Sequence, residues 1–312
     1  MAALLALVGA CGEADSTDRA ESAGEAGVAT GAEGSTLLVY TVSYPLAYFA
    51  ERIGGDRVRV EFPAPPDVDP AFWSPDPETV AAYQRADLIL LNGAGYASWT
   101  DRVSLPSSRL VVTAAGMADR YVVVEDAVTH SHGPAGEHAH GTIAFTTWLD
   151  PTMAVEQARA IRDAFARARP QHEEAFDEGF AELERDLLDL DGRLSEIVSA
   201  DSARALLASH PVYQYLAARY CMEMRSVHFE PDKVPSPAMW RDLRGILEEH
   251  PARWMLWEAE PLPATASQLR ELGVESVVFS PAGNSPDDGD YLSVMEANVR
   301  RLATAYGDTP ER

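Results

Sequence analysis

At 312 residues the chain is long enough for two compact lobes, and 46% apolar with 24% charged residues is ordinary globular proportion. A net charge of −24 argues against nucleic acid or anionic lipid as a partner and suits the attraction of cations. Two cysteines as far apart in character as Cys11 and Cys221 exclude a disulfide scaffold.

Taken in chain order, the N-terminus reads as an export signal. Cys11 closes Val8-Gly9-Ala10-Cys11 behind the apolar stretch Ala2 to Leu7, a lipobox-like pattern in which cleavage precedes a cysteine that carries lipid. Residues 1–11 are assigned to this signal, although its usual basic opening is absent. The rival reading is a stray apolar N-terminus on a cytoplasmic protein. Residues 12–36 are dominated by Ala, Gly, Ser, Thr and Glu without an aromatic, too little apolar surface to fold, and read as a disordered tether. Cys221, with no partner once Cys11 is lipidated, is expected to be buried. No further segment approaches the roughly 20 apolar residues needed to span a bilayer. The anchor is then the membrane attachment, on the periplasmic or extracytoplasmic face of the cell envelope.

From residue 37 strand and helix signals alternate. Strands are predicted at 37–42, 57–62, 88–91 and 110–113, with helices at 44–53 and 78–85 and a Pro/Asp-rich loop at 63–77. Strands separated by helix-length segments imply a parallel sheet with helices on its faces. A histidine-rich run follows, Thr129-His130-Ser131-His132-Gly133-Pro134-Ala135-Gly136-Glu137-His138-Ala139-His140, holding four of the eight histidines. Imidazole is the commonest metal ligand, and the glycines and proline predict a loop over 129–141 able to fold its rings around an ion. A plain solvated loop is the bland alternative. Asp150 then N-caps a helix with Pro151 at its first position, which closes a first lobe at 37–168.

A linking helix occupies 169–200, opened by Pro170. Phe176, Phe180, Leu183, Leu187, Leu190, Leu194 and Ile197 recur in steps of four and three and form one stripe. Gly179 and Gly192 weaken it slightly. A second lobe at 201–308 repeats the alternation, with strands at 205–209, 224–228, 254–257 and 276–279 and helices at 212–220, 237–249, 264–272 and 291–306. The fold class is therefore α/β: two lobes, each a small parallel sheet flanked by helices, joined by a long rigid helix.

Open α/β sheets bind ligands beyond the carboxyl ends of their strands. Those ends in the second lobe carry His210, then His228 with Glu230, then Glu258 with Glu260, a plausible donor set for a divalent cation. Enzyme motifs fare worse. His172-Glu173-Glu174-Ala175-Phe176 has phenylalanine at the second ligand position of a metalloprotease helix, and Gly93-Ala94-Gly95 is a strand-end turn rather than a dinucleotide loop. A zinc hydrolase built from His210, His228 and Glu258 is the alternative from another class.

Asp69-Pro70-Ala71-Phe72-Trp73-Ser74-Pro75-Asp76-Pro77, the run from Ala86-Asp87-Leu88 to Gly95-Tyr96, Trp148-Leu149-Asp150-Pro151, Ser209-His210-Pro211-Val212-Tyr213 leading to Arg219-Tyr220, and the last helix with Asn298 together carry a resemblance. Over about residues 37–306 the chain resembles the solute-binding lipoproteins of zinc and manganese ABC transporters (ZnuA/TroA-like). The resemblance implies a cleft between the lobes holding one metal, a permease and its ATPase as partners, no enzymatic activity, and a monomeric carrier. Asp69 and Trp73 would line the cleft. Family members usually place histidine where this chain has Ala71 and Thr146, and a carboxylate where it has Ser280, so of the usual ligand positions only His210 survives. Three explanations stay open: loop histidines join His210 with His228, Glu230 or Glu258; the loop is a free scavenger; or the scaffold no longer binds metal. The expected ion is Zn²⁺, with Mn²⁺ or another divalent metal as alternatives.

Overall fold

Short β-branched and leucine-rich runs, each followed by an amphipathic segment, build two sheets of the same topology. The computed structural model describes residues 36–124, 129–131, 137–139 and 143–307. The first lobe runs β1 (Leu37–Thr41), α1 (Tyr44–Gly54), β2 (Val58–Glu61), α2 (Pro77–Arg85), β3 (Leu88–Leu91) and β4 (Leu110–Val112). All pairings are parallel, in the order β2-β1-β3-β4. A short antiparallel hairpin follows, β5 (Thr129–Ser131) with β6 (Glu137–Ala139), in which His130 pairs with His138 along the backbone. Part of the predicted loop is thus a strand pair.

Asp150 N-caps α3 (Pro151–Ala168) as expected, its carboxylate accepting from the amides of Thr152 and Met153. After a 3₁₀ turn at Pro170–His172 comes α4 (Glu173–Ser199), whose 27 residues extend for about 40 Å. Its buried stripe is Phe176, Phe180, Leu183, Leu187, Leu190, Leu194 and Val198. The last member is Val198 rather than Ile197, because at 3.6 residues per turn two successive steps of four keep the stripe aimed at the core.

The second lobe comprises β7 (Leu206–Ala208), α5 (Gln214–Tyr220), β8 (Met224–Ser226), α6 (Pro237–Glu249), β9 (Trp254–Trp257), α7 (Pro263–Glu271), β10 (Glu275–Val278) and α8 (Tyr291–Gly307). Its parallel order, β8-β7-β9-β10, repeats that of the first lobe element for element. One core runs through both lobes, from Leu37 and Phe49 through the α4 leucines to Leu206, Phe279 and Leu302. Helix α4 packs on α1 and α3 on one side and on α5 and α8 on the other. Arg219 on α5 clamps Asp191 on α4 with two hydrogen bonds of 2.9 and 2.6 Å. This pair, with the Tyr220 hydroxyl, holds the Asp191 carboxyl below its usual range against the upward pull of burial.

Cys221 is exposed, not buried. It follows the last turn of α5 at φ +53, and its amide donates to the carbonyl of Ala217, so it ends the helix where glycine is common. That position throws the side chain outward. Among the described residues, no helix is long and apolar enough to cross a membrane.

Candidate functional site

Each sheet has one place where the chain reverses its order of addition, between β1 and β3 and between β7 and β9. Ligands of open α/β sheets collect at such points. The two lobes fill theirs with different chemistry. In the first, Asn92 beyond β3 is buried in a neutral network. Its Oδ1 accepts from Gln157 Nε2 (2.9 Å), its Nδ2 donates to the Phe145 carbonyl (2.9 Å), and Gln157 Nε2 also reaches Thr113 Oγ1 (3.0 Å). These groups satisfy one another and lock the sheet to α3.

The second lobe places ionisable groups there. His210 follows β7 and is 2% exposed; Glu258 follows β9 and is partly exposed. Their Nδ1 and Oε1 atoms are 3.5 Å apart. That is longer than a charge-assisted hydrogen bond, and two donors at about 2.0–2.1 Å from one tetrahedral zinc stand roughly 3.3–3.4 Å apart. The pair is spaced as neighbouring ligands of a single ion. The ring of His228, just past β8, meets the His210 ring edge-on at 5.8 Å between centroids. Glu230 and His228 are partly buried.

A cavity of ≈ 440 Å³ lies between the lobes. Asp69, Tyr96 and Thr146 contribute from the first lobe, His210, Glu258 and Ser280 from the second. Asp69 lines it, while its Oδ1 accepts the Ala71 amide at 2.9 Å. Trp73 is not among the lining residues; it packs edge-on against Trp99 with centroids 6.4 Å apart. His228, Glu230 and the exposed Glu260 are also outside the lining. His130 and His138 are described only as backbone of the hairpin, and His132, His140 and Cys11 fall outside the described residues. Among the described residues, no three His, Cys, Asp or Glu side chains converge to hold a metal.

The three substituted positions have structural work instead. Ala71 is a buried methyl in the core. Thr146 Oγ1 donates across the cleft to the Val212 carbonyl at 2.6 Å. Ser280 is held by Asn298 on α8, which accepts its amide (2.9 Å) and donates to its carbonyl (2.7 Å). The Trp148 indole donates to the Pro281 carbonyl at 2.7 Å, and the Asn284 amide to the carbonyls of Pro65 and Val68, each at 2.8 Å. These bonds tie one lip of the cleft to the other.

Tyr96 and Asn284 carried no signal of their own in the sequence. Tyr96 is delivered by the turn Gly93-Ala94-Gly95, where φ is +89, +53 and +77, so glycine at two of the three relieves the strain. Burial, then the nearby Asp69 charge, pushes the Tyr96 hydroxyl well above its ordinary pKa; burial and Glu258 do the same to Tyr213. Both phenols stay protonated.

The comparisons with known proteins agree with this architecture. The family described as ZnuA, zinc-uptake complex component A, periplasmic, matches residues 39–305. The chain belongs to the ZnuA family. The high-affinity zinc uptake system protein ZnuA of Bacillus subtilis strain 168 is 25% identical over 312 residues, covering 97% of this chain and 94% of that one. In fold, the chain matches the Zn(II)-bound ZnuA-like domain of Streptococcus pneumoniae AdcA, with TM-score 0.75, 22% identity, and 88% and 100% of the two chains covered. It matches the metal-dependent lipoprotein YcdH of Bacillus subtilis with TM-score 0.74, 22% identity, and 86% and 99% covered. The ZnuA family supplies solute-binding components of transport systems rather than enzymes.

Proposed function

We propose that the chain is the extracytoplasmic solute-binding component of a metal-uptake ABC transporter. It captures a divalent cation, zinc first, between its lobes and hands it to a permease driven by an ATPase. Lipid on Cys11 anchors it to the envelope through the tether of residues 12–36.

The 3.5 Å spacing of His210 Nδ1 and Glu258 Oε1 at the switch point carries this reading. It supports a pair of adjacent ligands on one ion, with Asp69 across the cavity adding negative field. Two donors do not close a zinc site, which needs four, or three and a water. The missing ones come from the histidine-rich run, His130, His132, His138 and His140, with His228 and Glu230 flanking. Family membership and membership of the AdcA-like fold support metal transport as the purpose of the scaffold.

Elemental analysis of the purified chain, followed by zinc titration calorimetry, tests the reading. One equivalent of tight zinc is expected. Removing an outer-shell partner already costs about 10–100-fold in metal affinity, so His210→Ala, which removes a ligand, should cost at least about 100-fold. Deleting residues 129–141 should cost a similar factor. Stoichiometric, equally tight zinc in His210→Ala would remove the cleft from the account, and unchanged affinity in the deletion would leave the lobe donors as self-sufficient.

A further inference from the structure

We propose that the interlobe cavity takes the divalent ion together with a small organic chelator of the α-amino-acid class, which supplies donors where the protein's own are missing. The proposal rests on the metal reading above and specifies its cargo: in the chelated form, amine and carboxylate take the coordination positions that the loop histidines take around a bare ion.

Size is the first reason. A bare ion needs a shell of donors at contact distance, whereas ≈ 440 Å³ falls within the roughly 300–1,000 Å³ of small-molecule sites. The walls cannot collapse onto an ion. Phe72, Tyr96, Phe145 and Trp148 form a chain of edge-on ring contacts, with centroids 6.0 Å apart for Phe72 and Phe145, 5.4 Å for Tyr96 and Phe145, and 5.5 Å for Tyr96 and Trp148. An aromatic wall facing a set of polar groups is the chemistry of an organic-ligand site. Gly283 keeps it open. A Cβ there would stand 3.6 Å from the Trp148 ring and 4.0 Å from the Tyr96 hydroxyl, inside the space a guest would use.

The second reason is the Tyr96 hydroxyl. The side chain is 6% exposed, lines the cavity, and its oxygen has no hydrogen-bond partner among the described residues. An unsatisfied buried hydroxyl is destabilising and rare in native proteins. As a protonated phenol it is a donor at the cavity wall for which the described residues provide no acceptor. Of the other three hydroxyls in the lining, Thr146 donates to the Val212 carbonyl, Ser280 Oγ accepts the Ala282 amide (3.3 Å), and Ser285 is exposed.

Charge then selects the guest. Asp69, Glu258 and Asp287 line the cavity and, among the described residues, no Lys or Arg does. Free anions are excluded, and so are polycarboxylate chelates that leave the complex negative. A divalent ion with one amino-acid anion carries net charge +1. The amine and one carboxylate oxygen chelate the ion, His210 and Glu258 approach its other side, and the second carboxylate oxygen accepts from Tyr96 Oη.

Native mass spectrometry of the full chain, with Zn²⁺ alone, Zn²⁺ with L-histidine and Zn²⁺ with citrate, decides the matter. The expected species with L-histidine is protein plus one zinc plus one histidine, absent with citrate. Tyr96→Phe, which should fold at least as well because it deletes the unsatisfied hydroxyl, should lower the ternary species at least tenfold. Zinc bound alone whichever chelator is offered would overturn the chelate while leaving the metal reading standing. No zinc under any condition would overturn both, and an undiminished ternary species in Tyr96→Phe would overturn the role given to that hydroxyl.

Discussion

The family resemblance implies an imidazole at position 146; here the Thr146 hydroxyl crosses the cleft to the Val212 carbonyl at 2.6 Å with both groups buried. A position that usually serves ligand binding here serves closure. Thr146→Val keeps the shape and removes the donor, so it should destabilise the fold by about 1–2 kcal/mol. Denaturant unfolding monitored by tryptophan fluorescence measures this; equal stability would mean that the bond is not a structural substitute for the lost ligand. The departures at Ala71, Thr146 and Ser280 were legible in the sequence because the flanking residues fix the alignment of the motifs. Their new partners were not, since Val212 is 66 residues from Thr146 and the Pro281 carbonyl is 133 from the Trp148 indole that it accepts. Such pairings depend on how the lobes close, which no local pattern encodes. Cys221 misled for a related reason: its type favours burial, but a left-handed C-cap decided its exposure.

Among the elements, α4 shows how far periodicity reaches. The repeat of fours and threes located the helix and six of its seven buried residues, and it missed the last, because Ile197 and Val198 are both apolar and only the partner surface chooses between them. Its two glycines read alike in the sequence and differ in the fold. At Gly179 a Cβ would stand 2.7 and 2.8 Å from the carbonyl oxygens of Ile53 and Arg52, so the end of α1 lies directly on the helix backbone. At Gly192 nothing lies within 4 Å. Alanine gains up to about 1 kcal/mol over glycine in a helix interior, so Gly192→Ala should raise the melting temperature. Gly179→Ala meets rigid backbone and should lower it, by about 1–3 kcal/mol from overpacking. Calorimetric melting of the two variants side by side checks both signs. A rise in both would mean that α1 and α4 are not in close contact.

At the scale of the whole molecule, the two sheets repeat one topology while dividing the labour. The first seals its switch point with the neutral Asn92–Gln157–Thr113 network; the second presents His210 and Glu258. The repeat of strand and helix signals made the two-lobed plan readable, whereas the asymmetry rests on side chains brought together from distant segments. Closure is built into the chain itself. Thr146 to Val212, Trp148 to Pro281 and Asn284 to Pro65 and Val68 are protein–protein bonds across the cleft. One core continues beneath them through α4. A ligand shifts a conformational equilibrium only by its differential affinity for the two states. Here the closed state is held by one buried and three part-buried protein–protein bonds, so metal has little left to shift. Small-angle X-ray scattering should therefore give the same radius of gyration with and without saturating zinc. A contraction on adding zinc would show that the cross-cleft bonds break in the metal-free chain, and that ion binding, not the Thr146 and Asn284 contacts, drives closure.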